Sequence, residues 1–451
     1  MIVDSLFFKG LTGEVVTPKD LEYDEARQEW NRAINKFPLV IVYCERKQDV
    51  VNAIRWAQRR CVRIRIRSGG HHYEGYSTGN LVLVIDISRL NRLILDKERN
   101  ILRMEAGAKN TEVYDLVGSN GYPFPGGTCP TVGVSGFTLG GGWGLSSRLY
   151  GLGCDSLLEL ELVDYKGRLI NANRYCNSDL FWACRGAGGG NFGVIVSMTF
   201  QLPEPTNPDV TLVRFFYVGT TKEKQAQVMD IWQNWLPGLD KRMTLVASFY
   251  NAEDEGLGIF AQGFFYGSPE MARELLQPFA EVEGFRVELE ESSFLEAVKK
   301  VEETYPPSEK FKSTGRFVQR QYSTCELDNI AELIQAPAEG SVYAAVSFYS
   351  MGGEIREKGK RETAFFYRDA RYIMGIQSVW TEDESARKNT EWVRERFEYI
   401  KSITKGSFVN FPISNLRNYE REYFGDNAGR LNRVNEKYDP FNVFRFPQGL
   451  R

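Results

Sequence analysis

This chain of 451 residues contains two histidines, and they are adjacent: His71 and His72 stand in Arg67-Ser68-Gly69-Gly70-His71-His72-Tyr73-Glu74-Gly75. Neighbouring side chains on extended backbone point to opposite sides, so a single metal ion is not expected to take both. No cluster of Cys, His or Asp at ligand spacing accompanies them, and no metal site is expected. What the stretch does offer is backbone amides ahead of an imidazole. Ser68-Gly69-Gly70 can form an anion-binding nest with a nucleophile at its end, which suits a phosphate-bearing cofactor held covalently. A second nucleophile, Cys129, lies in Pro125-Gly126-Gly127-Thr128-Cys129-Pro130-Thr131-Val132-Gly133, flanked by residues that look too small to bury it well. A free cysteine is usually a small buried hydrophobe, and the company of His71 is what favours a chemical role here.

Three stretches are rich in glycine: the His71 loop, residues 125–155 and residues 181–194. Glycine costs conformational entropy, so such density is kept where the backbone takes unusual dihedrals or approaches another group closely. A large ligand lying along the three loops accounts for the clustering. The strand ahead of RSGGHH leads into a loop rather than a helix, unlike a βαβ dinucleotide fingerprint, and no GxxxxGK[ST] sequence occurs.

Rigid elements must deliver these loops. Residues 38–66 read as strand, helix, strand, a βαβ unit with Val62, Ile64 and Ile66 toward the core. A buried strand is expected at 81–88, a hairpin at 93–107 and a short helix ending on Gly121. A second hairpin, at 157–172, turns at Tyr165-Lys166-Gly167. Three prolines between Pro203 and Pro208 mark a linker. Beyond it, amphipathic helices at 222–236, 271–282 and 293–303 mix with strands at 245–251, 258–267, 342–351 and 371–380, which suits an antiparallel sheet covered by helices. From Gly406 the tail reads as loop sequence rich in aromatic residues, asparagine and arginine. The fold class is α+β, with boundaries expected at 1–205, 206–405 and 406–451.

With 56 basic against 59 acidic residues and a net charge of -3, the chain has no basic stripe for nucleic acid. No secretory leader or membrane span is visible, and seven cysteines without CxxC spacing speak against a disulfide framework. A cytoplasmic location, no membrane partner and a monomer or homodimer are expected.

RSGGHHYEG, GTCPTVGVSGFTLGGGWGLSSRLYGL, DLFWACRGAGGGNFGV and KYDPFNVF together resemble the berberine bridge enzyme-like family of FAD-linked oxidases, within the vanillyl-alcohol oxidase or PCMH superfamily. The resemblance implies a PCMH-type FAD-binding domain of two subdomains and a central substrate domain over the flavin. Its R-x-G-G-H motif falls on Arg67, Gly69, Gly70 and His71, with His71 bonded to the flavin C8 methyl group, and its G-x-C motif makes Cys129 the thioether to C6. Bicovalent FAD is therefore expected, with His72 a polar loop residue. The cofactor contacts implied are Arg67, Ser68, Gly69, Gly70, His71, Tyr73, Gly127, Thr128, Cys129, Val132, Gly133, Gly136, Gly140, Gly141, Gly144, Gly193, Val194 and Asn410. Val132 matches the position where valine leaves dioxygen a path. The reaction implied is oxidation of an alcohol, sugar or amine by hydride transfer to flavin N5, with dioxygen as acceptor and hydrogen peroxide as product.

The substrate side departs from the family. The strand pattern Y-x-x-(E/Q)-Y-x-x-x-W holds Gly375 and Ile376 at the acid and tyrosine positions, and Y-x-N-Y-x-D becomes Phe408-Val409-Asn410-Phe411-Pro412-Ile413. The candidates left for the proton-handling role are Tyr349, Tyr423 and Tyr343. Gln377, on the face of Gly375, can orient a substrate but cannot act as base. A substrate that needs no strong base, a dehydrogenase with another acceptor, and a flavoprotein of low turnover remain open alternatives.

Overall fold

A computed structural model describes residues 5–205 and 209–451. Thr206, Asn207 and Pro208, the last part of the proline-rich linker, lie outside the described residues, as does the extreme N-terminus.

The first sheet joins β1 (Glu14–Val16), β2 (Val40–Tyr43), β3 (Ile64–Arg67) and β4 (Leu83–Asp86) in the order β1-β2-β4-β3, with β2 and β3 parallel to β4. The βαβ reading of 38–66 holds. Between β2 and β3 runs helix Lys47–Arg59, which buries Val50, Ala53, Ile54, Trp56 and Ala57. Its first turn is capped by Asp49, which accepts from the amides of Glu45 at 3.2 Å and Arg46 at 2.9 Å. The alternation of β3 is less simple than its sequence. Ile64 is in the core, but Arg65 and Arg67 on the opposite face are also buried, at 9% and 5% exposure. That face is covered by other parts of the chain, and each guanidinium finds acceptors there.

The second sheet, in the order β5-β6-β9-β7-β8, is antiparallel: β5 (Leu93–Asp96), β6 (Ile101–Glu105), β7 (Leu157–Val163), β8 (Leu169–Asn173) and β9 (Val194–Gln201). Both expected hairpins are present. Helix Asn110–Gly118 and then the second glycine-rich stretch, with helix Val134–Leu139 inside it, connect β6 to β7, and the third stretch lies between β8 and β9.

The third sheet has seven antiparallel strands in the order β13-β10-β12-β11-β15-β16-β14. They are β10 (Asp209–Tyr217), β11 (Met243–Ala252), β12 (Gly256–Phe265), β13 (Phe285–Ser293), β14 (Lys310–Val318), β15 (Ser341–Ser350) and β16 (Tyr372–Trp380). Helix Ala386–Ile403 packs on β14 and β16, while Lys222–Trp235 pairs with Thr324–Glu332 and touches β12. The opposite face stays partly open, and Val246, Ser248, Tyr343, Ser347, Tyr349 and Gln377 line it by strand alternation.

The tail corrects the loop reading. It forms helices Tyr419–Phe424 and Ala428–Tyr438, the latter burying Leu431, Val434 and Tyr438 at helical spacing within polar sequence. The tail returns to the first two sheets. Asn435 donates to the Asn191 carbonyl at 2.8 Å, and the Leu450 amide donates to Asn191 Oδ1 at 3.0 Å. Arg65 donates to the carbonyl of Arg445. Among the described residues no helix is long and apolar enough to cross a membrane.

Candidate functional site

The His71 loop leaves the end of β3, and a buried ion cluster fixes that exit. Arg67 bonds Asp86 on the neighbouring strand and lies 3.8 Å from Glu29, all three nearly inaccessible to solvent. Burial, only partly countered by Arg67, pushes the Glu29 carboxyl up to about 7. The loop then turns at Gly70, whose φ of +71° is left-handed backbone that glycine adopts without strain. Gly69 lies against the second glycine-rich stretch so closely that a Cβ there would sit 2.3 Å from the Gly133 nitrogen and 2.7 Å from the Thr131 carbonyl. From the other side, a Cβ on Gly133 would sit 2.3 Å from Ser68 Oγ.

This backbone-to-backbone contact brings the two candidate nucleophiles together. His71 Nε2 is 2.8 Å from Thr131 Oγ1, and Cys129 Sγ is 3.7 Å from the same oxygen. The His71 ring stacks on Trp30 at 5.0 Å. Burial, with the Lys109 cation adding to it, lowers the imidazole to about 3, so its ring is neutral. Burial raises the Cys129 thiol. The cysteine is 8% exposed, contrary to the expectation that its small neighbours would leave it open. His72 faces the other way: its Nδ1 accepts from the Glu74 amide at 3.2 Å and its ring lies 4.6 Å from Tyr76. That is the polar loop residue expected of it.

The remaining glycines divide by what they approach. A Cβ would lie 2.9 Å from Asn110 at Gly127, 1.9 Å from Asn410 at Gly140, 2.6 Å from Phe365 at Gly141, 1.8 Å from the Gly126 carbonyl at Gly144 and 2.6 Å from the Val163 carbonyl at Gly193. These positions let chain segments close on one another. Gly136 differs, for nothing lies within 4 Å of its Cβ position and it is exposed. Asn410 donates to the Phe137 carbonyl at 2.9 Å, the Val132 carbonyl accepts from the Asn110 amide at 3.0 Å, and Val194 opens β9.

The cradle so formed has unmet hydrogen-bonding capacity. Among the described residues, the amides of Gly69, Gly70, His71, His72 and Tyr73 reach no carbonyl acceptor. Trp30 Nε1, Arg65 Nε, Thr78 Oγ1 and Thr138 Oγ1 are buried without a partner. Each belongs to, or packs against, a glycine-rich loop. Orphaned donors in this number are costly unless a ligand meets them, and the set fits a cofactor with phosphate and ring acceptors.

Beside His71 and Cys129 lies an aromatic group. Tyr73 stacks on Phe411 at 5.2 Å and 2°, Phe311 meets Tyr73 edge-on at 5.0 Å, and Tyr349 lies 5.3 Å from Phe411 and 5.0 Å from Trp143. The absent acid at Gly375 and the presence of Tyr349 are one arrangement, since a Cβ on Gly375 would meet the Tyr349 ring at 3.3 Å. Likewise a Cβ on Gly315 would meet Phe411 at 2.8 Å. Gln377 stands on the same open face, opposite Ser313 and Ala345. Tyr423 is engaged elsewhere. It donates to Gln448 Oε1 at 2.9 Å and packs on Tyr419 and Phe424.

Residues outside the expected set complete the site: Trp30, Thr131 and Tyr305, whose hydroxyl is 2.6 Å from Thr128 Oγ1, while the main chain of Glu309 is bridged to Asn31 beside Trp30. Thr131 could have been singled out from its spacing of two from Cys129; Trp30 and Glu309 carry no local signal. Tyr343, Tyr250, Phe216 and Phe260 line a cavity of about 460 Å³ at one end of the open face. A larger concavity, about 690 Å³, lies over Arg103, Glu159 and Ser197 of the second sheet, away from these groups.

Fold and cradle have counterparts among known proteins. The family model for the FAD binding domain matches residues 38–173, which takes in the loops of His71 and Cys129. The chain is an FAD-linked oxidoreductase, 36% identical to the FAD-linked oxidoreductase YgaK of Bacillus subtilis (strain 168) over 98% of this chain and 97% of that one. It is 34% identical to YvdP of the same organism, over 98% of each chain. The family model for berberine and berberine-like proteins matches residues 407–451. The solved structure of Physcomitrella patens BBE-like 1 superposes with a TM-score of 0.89 at 25% identity, covering 99% of this chain and 98% of that one. The protein belongs to the berberine bridge enzyme-like family, and its mixed α and β architecture with antiparallel sheets is that of PCMH-type FAD-binding proteins.

Proposed function

We propose that this oxidoreductase holds FAD by two covalent bonds, through His71 and Cys129, and oxidises an alcohol, sugar or amine with dioxygen as acceptor and hydrogen peroxide as product. The observation that carries the reading is the convergence of His71 Nε2 and Cys129 Sγ on one hydroxyl, that of Thr131, from loops 60 residues apart. Bound FAD supplies the two-electron acceptor.

The chain's own groups divide the remaining work. The free amides of residues 69–73, with Arg65 and Thr78, would hold phosphate oxygens, and the open position at Gly136 would lie along the cofactor. Tyr349, its phenol held protonated because burial raises it, donates a hydrogen bond to the substrate oxygen, and Gln377 orients the substrate from the same face. Val132, half-buried one residue from Thr131, leaves dioxygen its path. Residues 1–205 and 406–451 form the cofactor-binding part and 206–405 the substrate part. Seven free cysteines support a cytoplasmic setting.

The attachment is tested by acid precipitation. Protein from the wild type, His71→Ala and Cys129→Ala should stay yellow, and the double variant should lose its flavin. Loss from Cys129→Ala alone would remove His71 as an attachment point. Turnover is tested with a panel of sugars, alcohols and amines read by peroxide release. Phe408 and Phe411, which carry no phenol, favour a second reading, a flavoprotein of low turnover; sluggish reoxidation by air after dithionite would select it.

A further inference from the structure

We propose that Glu309 is the proton acceptor of this oxidase, taking the substrate's O–H or N–H proton as the adjacent C–H bond is broken; this rests on the oxidase reading above. Glu309 ends the loop between helix Phe294–Glu302 and β14, outside both segments where the family resemblance looks for such a group. Its backbone is pinned to the N-terminal region. The Arg32 amide donates to its carbonyl at 2.8 Å, its own amide donates to the Trp30 carbonyl at 3.3 Å, and it bridges to Asn31. Trp30 is the residue on which the His71 ring stacks.

Glu309 immediately precedes β14, whose Phe311 meets Trp30 at 5.8 Å and Tyr73 at 5.0 Å. The Glu309 carboxyl acts by its charge on Tyr73 of the stacked pair, on Tyr305 beside Thr128, and on Tyr343 in the wall of the 460 Å³ cavity. Among the described residues it has no salt-bridge partner. The nearest lysines in sequence are engaged, Lys310 with Asp383 and Lys312 with Glu74.

A base must be ionised at working pH and must hold a proton with comparable affinity. Burial drives Tyr73, Tyr343 and Tyr349 far above the ordinary tyrosine value and Tyr305 up to about 12, so these phenols donate rather than accept. His71, lowered to about 3, is a neutral imidazole near neutrality and too weak a base to keep a second proton. Glu29 is sequestered behind Arg67. Burial without a compensating cation brings Glu309 to about 7, within the range a base requires. For an alcohol, the O–H proton passes to the Glu309 carboxylate, the carbinol hydrogen leaves with both electrons of its bond to FAD, and the C=O bond forms. Dioxygen then takes the two electrons and two protons, one of them from Glu309.

The test uses wild-type, Glu309→Gln and Glu309→Asp holoprotein, each checked for an unchanged flavin spectrum. Difference infrared spectra of substrate-free protein should show two carboxyls titrating near pH 7 in the wild type, those of Glu29 and Glu309; the amplitude of one should be displaced in Glu309→Asp and missing in Glu309→Gln. Anaerobic bleaching of the flavin by an active panel compound should rise with pH through the same midpoint. Glu309→Gln should bleach roughly 10²–10⁴-fold more slowly and lose that limb, with Glu309→Asp between. A bleached wild type whose Gln variant keeps its rate and pH limb overturns the assignment alone. A wild type that no panel compound bleaches overturns the oxidase reading and the assignment with it. An infrared band unchanged in Glu309→Gln overturns the assignment whatever the kinetics show.

Discussion

Replacing Glu29 by Gln should stabilise the protein by an amount that grows with pH. In the native state Glu29 is 2% exposed; burial raises its carboxyl from the ordinary 4.5 to about 7, Asp86 adds to the rise, and Arg67, Ser77 and Lys36 oppose it. Below pH 4.5 the carboxyl is protonated in both native and unfolded chains and contributes no difference. Between there and about 7 the unfolded chain releases its proton while the native state keeps it, so the native state loses relative stability as pH rises. Each unit is worth about 1.4 kcal/mol, so the loss levels off near 3 kcal/mol above neutrality. Gln carries no such proton and keeps an acceptor for Ser77. The stability gap between variant and wild type should therefore widen by about 3 kcal/mol from acid to neutral pH. For a chain of 451 residues unfolding cooperatively this is about 3 °C in Tm. Urea midpoints of both holoproteins, measured across that range, read the gap directly, and effects common to both cancel. A gap that is flat, or that narrows as pH rises, would refute the reasoning.

Two further substitutions probe the supports of the site. Arg368 and Asp155, each 2% exposed, meet at 2.7 Å, so Arg368→Met leaves a buried carboxylate unpaired and should cost roughly 3–5 kcal/mol; a urea shift worth less than about 1 kcal/mol would count against it. Gly69→Ala drives a methyl group into backbone that cannot rotate away and should cost about 3 kcal/mol, the upper end for overpacking. It should also lower the fraction of flavin retained after acid precipitation, whereas retention at wild-type level would show that the two loops separate without harm.

Much of the fold could be read locally because its elements obey local rules. The βαβ unit and the hairpins follow from apolar periodicity and turn residues such as Gly167, whose φ is +71°. The tail helix was hidden because Leu431, Val434 and Tyr438 are few among arginines and asparagines, and its burial is made by packing against distant parts of the chain. Arg65 and Arg67 alternate as solvent-facing residues would, yet both are buried, since period-two patterning reports the side of a strand and not what covers it. In the site, His71 and Cys129 could be picked out from their motifs. Their meeting at Thr131 is tertiary, as is the approach of Glu309 to Trp30 through the isolated bridge between Asn31 and Glu309. Glycine density correctly marked close approach at Gly69, whereas nothing lies within 4 Å of the Cβ position of Gly136, a difference that only the assembled backbone sets.

The shared Thr131 hydroxyl also bears on how the polypeptide is held together. Bonds from His71 and Cys129 to one rigid ring system would close a covalent loop of about 60 residues, tying the end of β3 to the segment that leads out of the second sheet. In chain-entropy terms a closure of that length removes about 4 kcal/mol of freedom from the unfolded state, as a disulfide between the same positions would. In a protein whose seven cysteines are all unpaired, the redox cofactor would serve as the cross-link, one that reducing agents do not cleave.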